Sequence, residues 1–392
     1  MNDEEDLKTP LYQEIASQIQ LGLMGTVGKL SRQLRAIDRI APRLKEGGIV
    51  RKVLVDRDAK RQSVGLSVAH RKIGAFGGLL YGAAAVSHAM TTAGADIIHG
   101  GQDSRLDVGD MTLLEADRRL SWKTYALVYD LLDEIFAAET LPNLILLDVP
   151  LIMGRAVYAQ ALEDEETDSE LRREVTELRD RLEAFWEKHI QRCFPFDADG
   201  PKVVTLDRGR FGSLLRLIKA KSQEVTPDPI DGEVERLIRE EWTQVLSVGI
   251  DRVLAGILNP DYRTAAFNRE QDLRDKQAFP RTIIEKGTIA FHYLTGLRGQ
   301  PIQVETLGSA AQWRDQGAET AIDALASDLI SLTYFDVRQA VPLPLWYARQ
   351  SVQIIKKTQG GQGLLEFYKR EALRAMQQEL RDRAWLAGWE EE

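Results

Sequence analysis

Residues Asn143–Asp148 read NLILLD. Four consecutive apolar residues closed by an acid are the pattern of a strand covered on both faces, because neither side reaches water and no polar residue needs to alternate with the apolar ones. An acid at the C-terminal end of such a strand stands at the mouth of the sheet, where open α/β sheets gather their chemistry. The stretch predicts a buried central strand and makes Asp148 the first candidate functional side chain.

Working outward, Met111 to Ala138 is amphipathic and predicts a helix ahead of that strand, with Leu120, Trp122, Tyr125, Leu131, Leu132 and Ile135 among its apolar residues. Further upstream, apolar positions at helical spacing from Leu11 to Leu44 predict one or two helices. Ile49–Asp56 reads as a strand, followed by a basic patch at Arg57–Arg61 and strands at Val64–Val68 and Lys72–Phe76. Gly77–Gly78 then opens a small-residue helix reaching about Met90, and Ala95–Ile98 reads as a short strand. Downstream, Glu163–Lys188 is densely charged, with Leu171, Val175, Leu178, Leu182 and Phe185 recurring every three or four residues. This predicts a long helix with a narrow seam, either a solvated arm or helical insertion, or a surface for a partner. Strands follow at Lys202–Leu206 and Leu214–Ile218, a turn-rich linker at Pro227–Asp231, a helix at Glu233–Leu258, a strand pair or hairpin at Ile283–Tyr293, a strand at Pro301–Thr306, and helices at Thr320–Thr333, Leu345–Thr358 and Leu364–Trp389. Alternation of strands and helices predicts an α/β protein with a sheet flanked by helices. The chain divides into an N-terminal helical segment (1–48), an α/β domain (49–358) with a helical insertion at about 155–192, and a C-terminal helix (359–392).

Composition narrows the function. The chain has 392 residues, 44% of them hydrophobic, enough for a large core. Its single cysteine, Cys193, excludes an intramolecular disulfide and a cysteine zinc site and fits a cytoplasmic protein. The N-terminus MNDEEDLKTP is acidic and unlike a secretory or transit signal. The apolar stretch Ile73–Met90 approaches the length of a membrane span, but a buried strand followed by a small-residue helix explains it and no second segment would join it, so no membrane is expected. A net charge of −9 argues against a general polyanion binder; nucleic acid would need a local basic groove or a basic partner. No Walker motif, G-x-S-x-G, H-E-x-x-H or G-x-G-x-x-G is present.

A two-metal hydrolase needs several carboxylates converging near Asp148 to hold divalent ions and orient water. Asp130, Asp133 and Glu134 of the preceding helix and Glu305 of the PIQVET strand are the candidates to join it; each also reads as a helix-surface charge or a strand-end cap, and for the three helix acids that is the favoured reading. Arg208, Arg210, Arg216, Lys219 and Lys221 form a basic cluster, in which strand spacing puts Lys219 and Lys221 on one face, for phosphate or simply for solvent.

Five stretches in order resemble the NurA family of DNA double-strand-break repair nucleases. They are LILLDVPL (Leu144–Leu151), LLRLIKAKS (Leu214–Ser222), DRVLAGILNPDYRTAAF (Asp251–Phe267), TIAFHYL followed by PIQVET, and AVPLPLWYARQSVQIIKK (Ala340–Lys357). Together they cover roughly residues 50–358. The resemblance implies an RNase H-like mixed sheet flanked by helices and a homodimer. It also implies a manganese- or magnesium-dependent 5′–3′ exonuclease and single-strand endonuclease partnered by a HerA/FtsK-type hexameric ATPase and acting on DNA. By it, Asp148, Glu305 and Asp130 are candidate catalytic residues, Asp148 and Asp130 metal ligands, and Lys219, Lys221, Arg216 and Arg349 nucleic-acid contacts. The chain departs from the pattern: Phe76 stands where the first acid is expected, and Val341 and Arg349 where a Tyr and a His flank the Pro turn. A phenylalanine offers no oxygen, and Arg349 has the wrong charge for a metal though the right one for a phosphate. Either the metal site is rebuilt from residues such as Asp56, Asp58, Asp130 and Glu305, or the chain is a degenerate, non-cutting adaptor. A scaffold with no nucleic-acid role is the third reading.

Overall fold

The structure, a computed structural model, describes residues 10–46, 49–75, 78–154, 169–207, 250–268, 278–294, 301–334, 341–355, 363–375 and 381–383. The strands are β1 (Val50–Lys52), β2 (Arg61–Ala75), β3 (Gly78–Ala93), β4 (Asp96–Met111), β5 (Leu144–Leu147), β6 (Lys202–Asp207), β7 (Tyr262–Thr264), β8 (Phe267–Asn268), β9 (Thr288–Tyr293) and β10 (Ile302–Leu307). They form one mixed sheet in the order β1-β7-β9-β10-β6-β5-β2-β3-β4, with β8 against β9. The described helices are α1 (Pro10–Glu46), α2 (Ala116–Ala137), α3 (Ser169–His189), α4 (Ile250–Ile257), α5 (Arg281–Lys286), α6 (Ala310–Asp315), α7 (Ala318–Tyr334), α8 (Leu343–Val352) and α9 (Leu364–Ala375).

β5 lies between β2 and β6, parallel to both. Ile145 and Leu147 pack into the layer made by α2, α3 and α5, while Leu144 and Leu146 pack into the opposite layer with α6, α7 and α8. Both faces of the strand are dry, which is why all four residues are apolar. The seam of α3 is not an arm: Leu171, Val175, Leu178, Leu182 and Phe185 are buried against α2 and the sheet, and Trp186 Nε1 donates to the Tyr129 hydroxyl at 2.7 Å.

Several expectations are corrected. The two strands expected at Val64–Val68 and Lys72–Phe76 are one, β2. The small-residue helix expected after Gly78 is strand β3, paired along nearly its whole length with both β2 and β4. Its glycines and alanines suit a helix by composition, but here they let helices sit close on the sheet: Ile355 packs over Gly82, and Ala84 and Val86 meet Val352 and Ile355. The strand expected at Ala95–Ile98 runs on to Met111. The first half of the expected Ile283–Tyr293 hairpin is helix α5, begun after Pro280 and stopped at Gly287, whose φ of 85° suits only glycine well. The expected strand at Leu214–Ile218 and the linker at Pro227–Asp231 lie outside the described residues. Among the described residues, no helix is long and apolar enough to cross a membrane.

Candidate functional site at the end of β5

Asp148 follows the last residue of β5, and its backbone N–H donates to the Leu66 carbonyl of β2 at 3.0 Å. Alternation along β5 turns its side chain toward the α8 layer, opposite to Leu147. There Ser67 Oγ donates to Asp148 Oδ2 at 2.7 Å, and Arg349 Nε donates to the same oxygen at 2.9 Å. Arg349 Nη2 donates to Asp148 Oδ1, completing a two-pronged guanidinium–carboxylate pair. Both side chains are about one-fifth exposed, at 20% for Asp148 and 22% for Arg349.

The close approach of α8 makes this contact possible. At Gly65, two residues before Ser67 on the same face of β2, a Cβ would fall inside the backbone of Pro344 and Leu345. Glycine therefore admits the start of α8 to the sheet, Val341 anchors the preceding turn in the core, and Arg349 is carried over β5. Next to the pair, Tyr347 stacks on His88 of β3 (ring centroids 5.0 Å apart) and meets His99 of β4 edge-on at 4.9 Å; His88 Nε2 and His99 Nδ1 lie 3.1 Å apart. The His88 pKa is lowered, first by burial and then by the nearby His99, with a hydrogen bond to Gln102 opposing.

The other candidate acids do not converge on Asp148. Glu305, paired in register with Thr205, faces the opposite side of the sheet and accepts from Thr288 Oγ1 at 3.0 Å. Asp130 lies on α2, in that same opposite layer, and is ion-paired with Arg181 of α3. Asp133 lies 3.9 Å from His189, and Glu134 pairs with Arg105. Asp56 closes a turn by accepting from the N–H groups of Asp58 and Ala59. Arg208, Arg210, Arg216, Lys219, Lys221 and Phe76 lie outside the described residues. Ala75, the last residue of β2, pairs with Gly78 of β3. That end is about 30 Å along β2 from Leu66 at roughly 3.3 Å per residue. The β2 residue beside Asp148 is Ser67, which the sequence reading missed. Its signal was there: Gly65 and Ser67 are small residues at strand spacing in an otherwise apolar run.

A divalent-metal centre does not fit this donor set. Among the described residues Asp148 is the carboxylate at this site, and both its oxygens accept from a cation or a hydroxyl. A metal would have to displace the guanidinium and would find no second carboxylate there among the described residues. Among the described residues, no group of three or more His, Cys, Asp or Glu side chains could hold a metal ion.

The stretch β4-β3-β2-β5-β6, an antiparallel meander joined to two strands parallel to β2, defines an RNase H-like α/β fold. Within that class the fold is NurA-like. The NurA nuclease from Sulfolobus solfataricus superposes with a TM-score of 0.52 at 12% identity, over 86% of this chain and 91% of that one. A NurA structure with manganese (TM-score 0.45, 11% identity) covers 93% of this chain and 99% of its own. One bound to dAMP and manganese (0.42, 13%) covers 97% and 100%. At such identities the likeness is one of fold. No protein-family model and no curated protein matches the sequence.

Proposed function

We propose that this chain is a NurA-like DNA-processing subunit that works as a homodimer with a HerA-type hexameric ATPase, binding DNA and the motor without metal-dependent cleavage at Asp148. The fold supports the first half of this reading. One observation carries the second: the Asp148 carboxylate is neutralised from within the chain by the Arg349 fork and the Ser67 hydroxyl. A carboxylate so paired is a structural tie between α8 and the central strand, and exchanging Arg349 for a hydrated divalent ion would forfeit both charge-assisted hydrogen bonds. Lys219, Lys221 and Arg216 are the proposed phosphate contacts, the local basic patch that an acidic chain would need.

The test is a nuclease assay on single-stranded and 5′-ended duplex DNA with Mn²⁺ or Mg²⁺, with and without the ATPase, comparing wild type with Asp148→Ala. The expected result is no cutting by either, together with DNA binding that weakens steeply with salt. Cutting by wild type that Asp148→Ala abolishes would establish instead a metal-dependent 5′–3′ exonuclease and single-strand endonuclease. Absence of both DNA and ATPase binding would leave a scaffold of the same fold.

A further inference from the structure

The two edges of the sheet differ. One is β1, three residues long; the other is β4, sixteen residues long. Among the described residues no strand pairs with the outer side of β4. Its first part is irregular, because the register with β3 shifts between His88 and Met90. Residues 102–111 are regular and pair in step with residues 79–88 of β3. At about 3.3 Å per residue that stretch runs for roughly 30 Å. Alternate residues of such an edge turn their N–H and C=O groups outward, away from β3, and those groups are a template for one more strand.

The side chains along this edge decide which strand it admits. Leu106 and Val108 lie on the side of the sheet where Ala84, the partner of Leu106, packs on Val352 and Ile355; Leu106 is 55% exposed. On the other side Arg105 pairs with Glu134 and Asp107 with Lys123, both of α2, so these charges are answered within the chain. Asp103 and Asp110 are exposed and form no ion pair among the described residues. They stand near the two ends of the regular stretch, with Leu106 between them. Acids so placed repel an acidic strand and favour a basic one, since opposite charges across a strand pair stabilise it and like charges destabilise it.

We propose that the outer edge of β4, residues 102–111, binds an extended segment of a partner protein with an apolar centre and a lysine or arginine toward each end. The outward backbone groups supply the pairing and hence the affinity. Leu106 receives the apolar side chain beside it, and Asp103 and Asp110 each face a cation, which supplies the selectivity. This surface is independent of DNA binding and of cleavage at Asp148.

Fluorescence anisotropy of labelled peptides with the full chain at low salt tests it. The probe is TKTVTVTVKT, in which antiparallel pairing sets the lysines against Asp110 and Asp103 and the central valine against Leu106. It should bind saturably, and TETVTVTVET should not. The double variant Asp103→Lys with Asp110→Lys changes two exposed residues, and circular dichroism checks its fold. It should weaken the lysine peptide by roughly tenfold or more and gain the glutamate peptide. Methylating the peptide's amide nitrogens at either the odd or the even positions separates backbone pairing from charge. One set should abolish binding and the other leave it, because only alternate N–H groups face β4. Amide exchange in residues 102–111 should slow when the lysine peptide binds. No binding of that peptide would leave the two acids as protection against aggregation and overturn the proposal. So would equal effects of the two methylated sets, or protection that falls outside β4. Protection of residues 102–111 in the peptide-free protein that fades on dilution would mean that another copy occupies the edge, and would overturn it too.

Discussion

Arg349→Met removes the cation from Asp148 while keeping most of the side chain's apolar stem. Breaking one partner of a fully buried ion pair costs about 3–5 kcal/mol, whereas an exposed pair is worth roughly 0–1 kcal/mol. Asp148 and Arg349 are about four-fifths buried and joined by two charge-assisted hydrogen bonds, so a loss of about 2 kcal/mol is expected, between those limits. Asp148→Leu should cost a similar amount, because it strands Arg349 and leaves the buried Ser67 hydroxyl without its acceptor. In the double variant the stranded-partner penalties of the pair disappear. The Ser67 contribution is common to both proteins that carry Asp148→Leu and cancels. Urea unfolding of the four proteins, followed by tryptophan fluorescence, yields the coupling directly; about 2 kcal/mol is expected. A coupling below about 0.5 kcal/mol, the scatter of independent sites, would refute the pairing. So would stabilisation of wild type, but not of Asp148→Leu, by Mn²⁺, since that would show the carboxylate free to take a metal.

Gly65→Ala would drive a Cβ into the backbone at the start of α8. A loss of roughly 3 kcal/mol or more is expected from this overpacking, with faster amide exchange in Leu343–Val352 as its local signature. Cys193 is buried and its thiol pKa is pushed up to about 12 by burial, so it should resist alkylation at pH 8 in the folded protein and react promptly in urea. His88 and His189 both have pKa values lowered in the fold, chiefly by burial. The unfolded chain then binds more protons below pH ~6.5, and stability rises with pH through that region. Acidification below about pH 6.5 should therefore lower the melting temperature, and His88→Gln should flatten that slope; an unchanged slope would refute the contribution of His88.

The sequence and the structure agree where burial alone decides. NLILL reads as a two-face-covered strand because apolar continuity is a local consequence of dryness on both sides, and the seam of α3 is visible because helical spacing records which face is hidden. They part where composition is ambiguous. The run GLLYGAAAVSHAM carries residues that suit a helix, and what makes it β3 is pairing with β2 and β4 along nearly its full length. RTIIEK carries β-branched residues that suit a strand, yet flanking Pro280 and Gly287 bound it as a helix.

By itself the sequence determined the central strand, the acid at its end, the alternation of strands and helices and the amphipathic character of α1, all properties that neighbouring residues write into a periodic pattern. Only the tertiary structure decided what surrounds that acid. Ser67 is 81 residues away and Arg349 is 201, and their meeting depends on the parallel register of β2 on β5 and on the space that Gly65 leaves for α8. The same strand geometry sends Glu305 to the other face of the sheet, and the helix layer that carries Asp130 covers that face too. Local pattern reports whether a residue is dry; which charge it meets there is set by register and helix placement, and no short stretch of chain contains either.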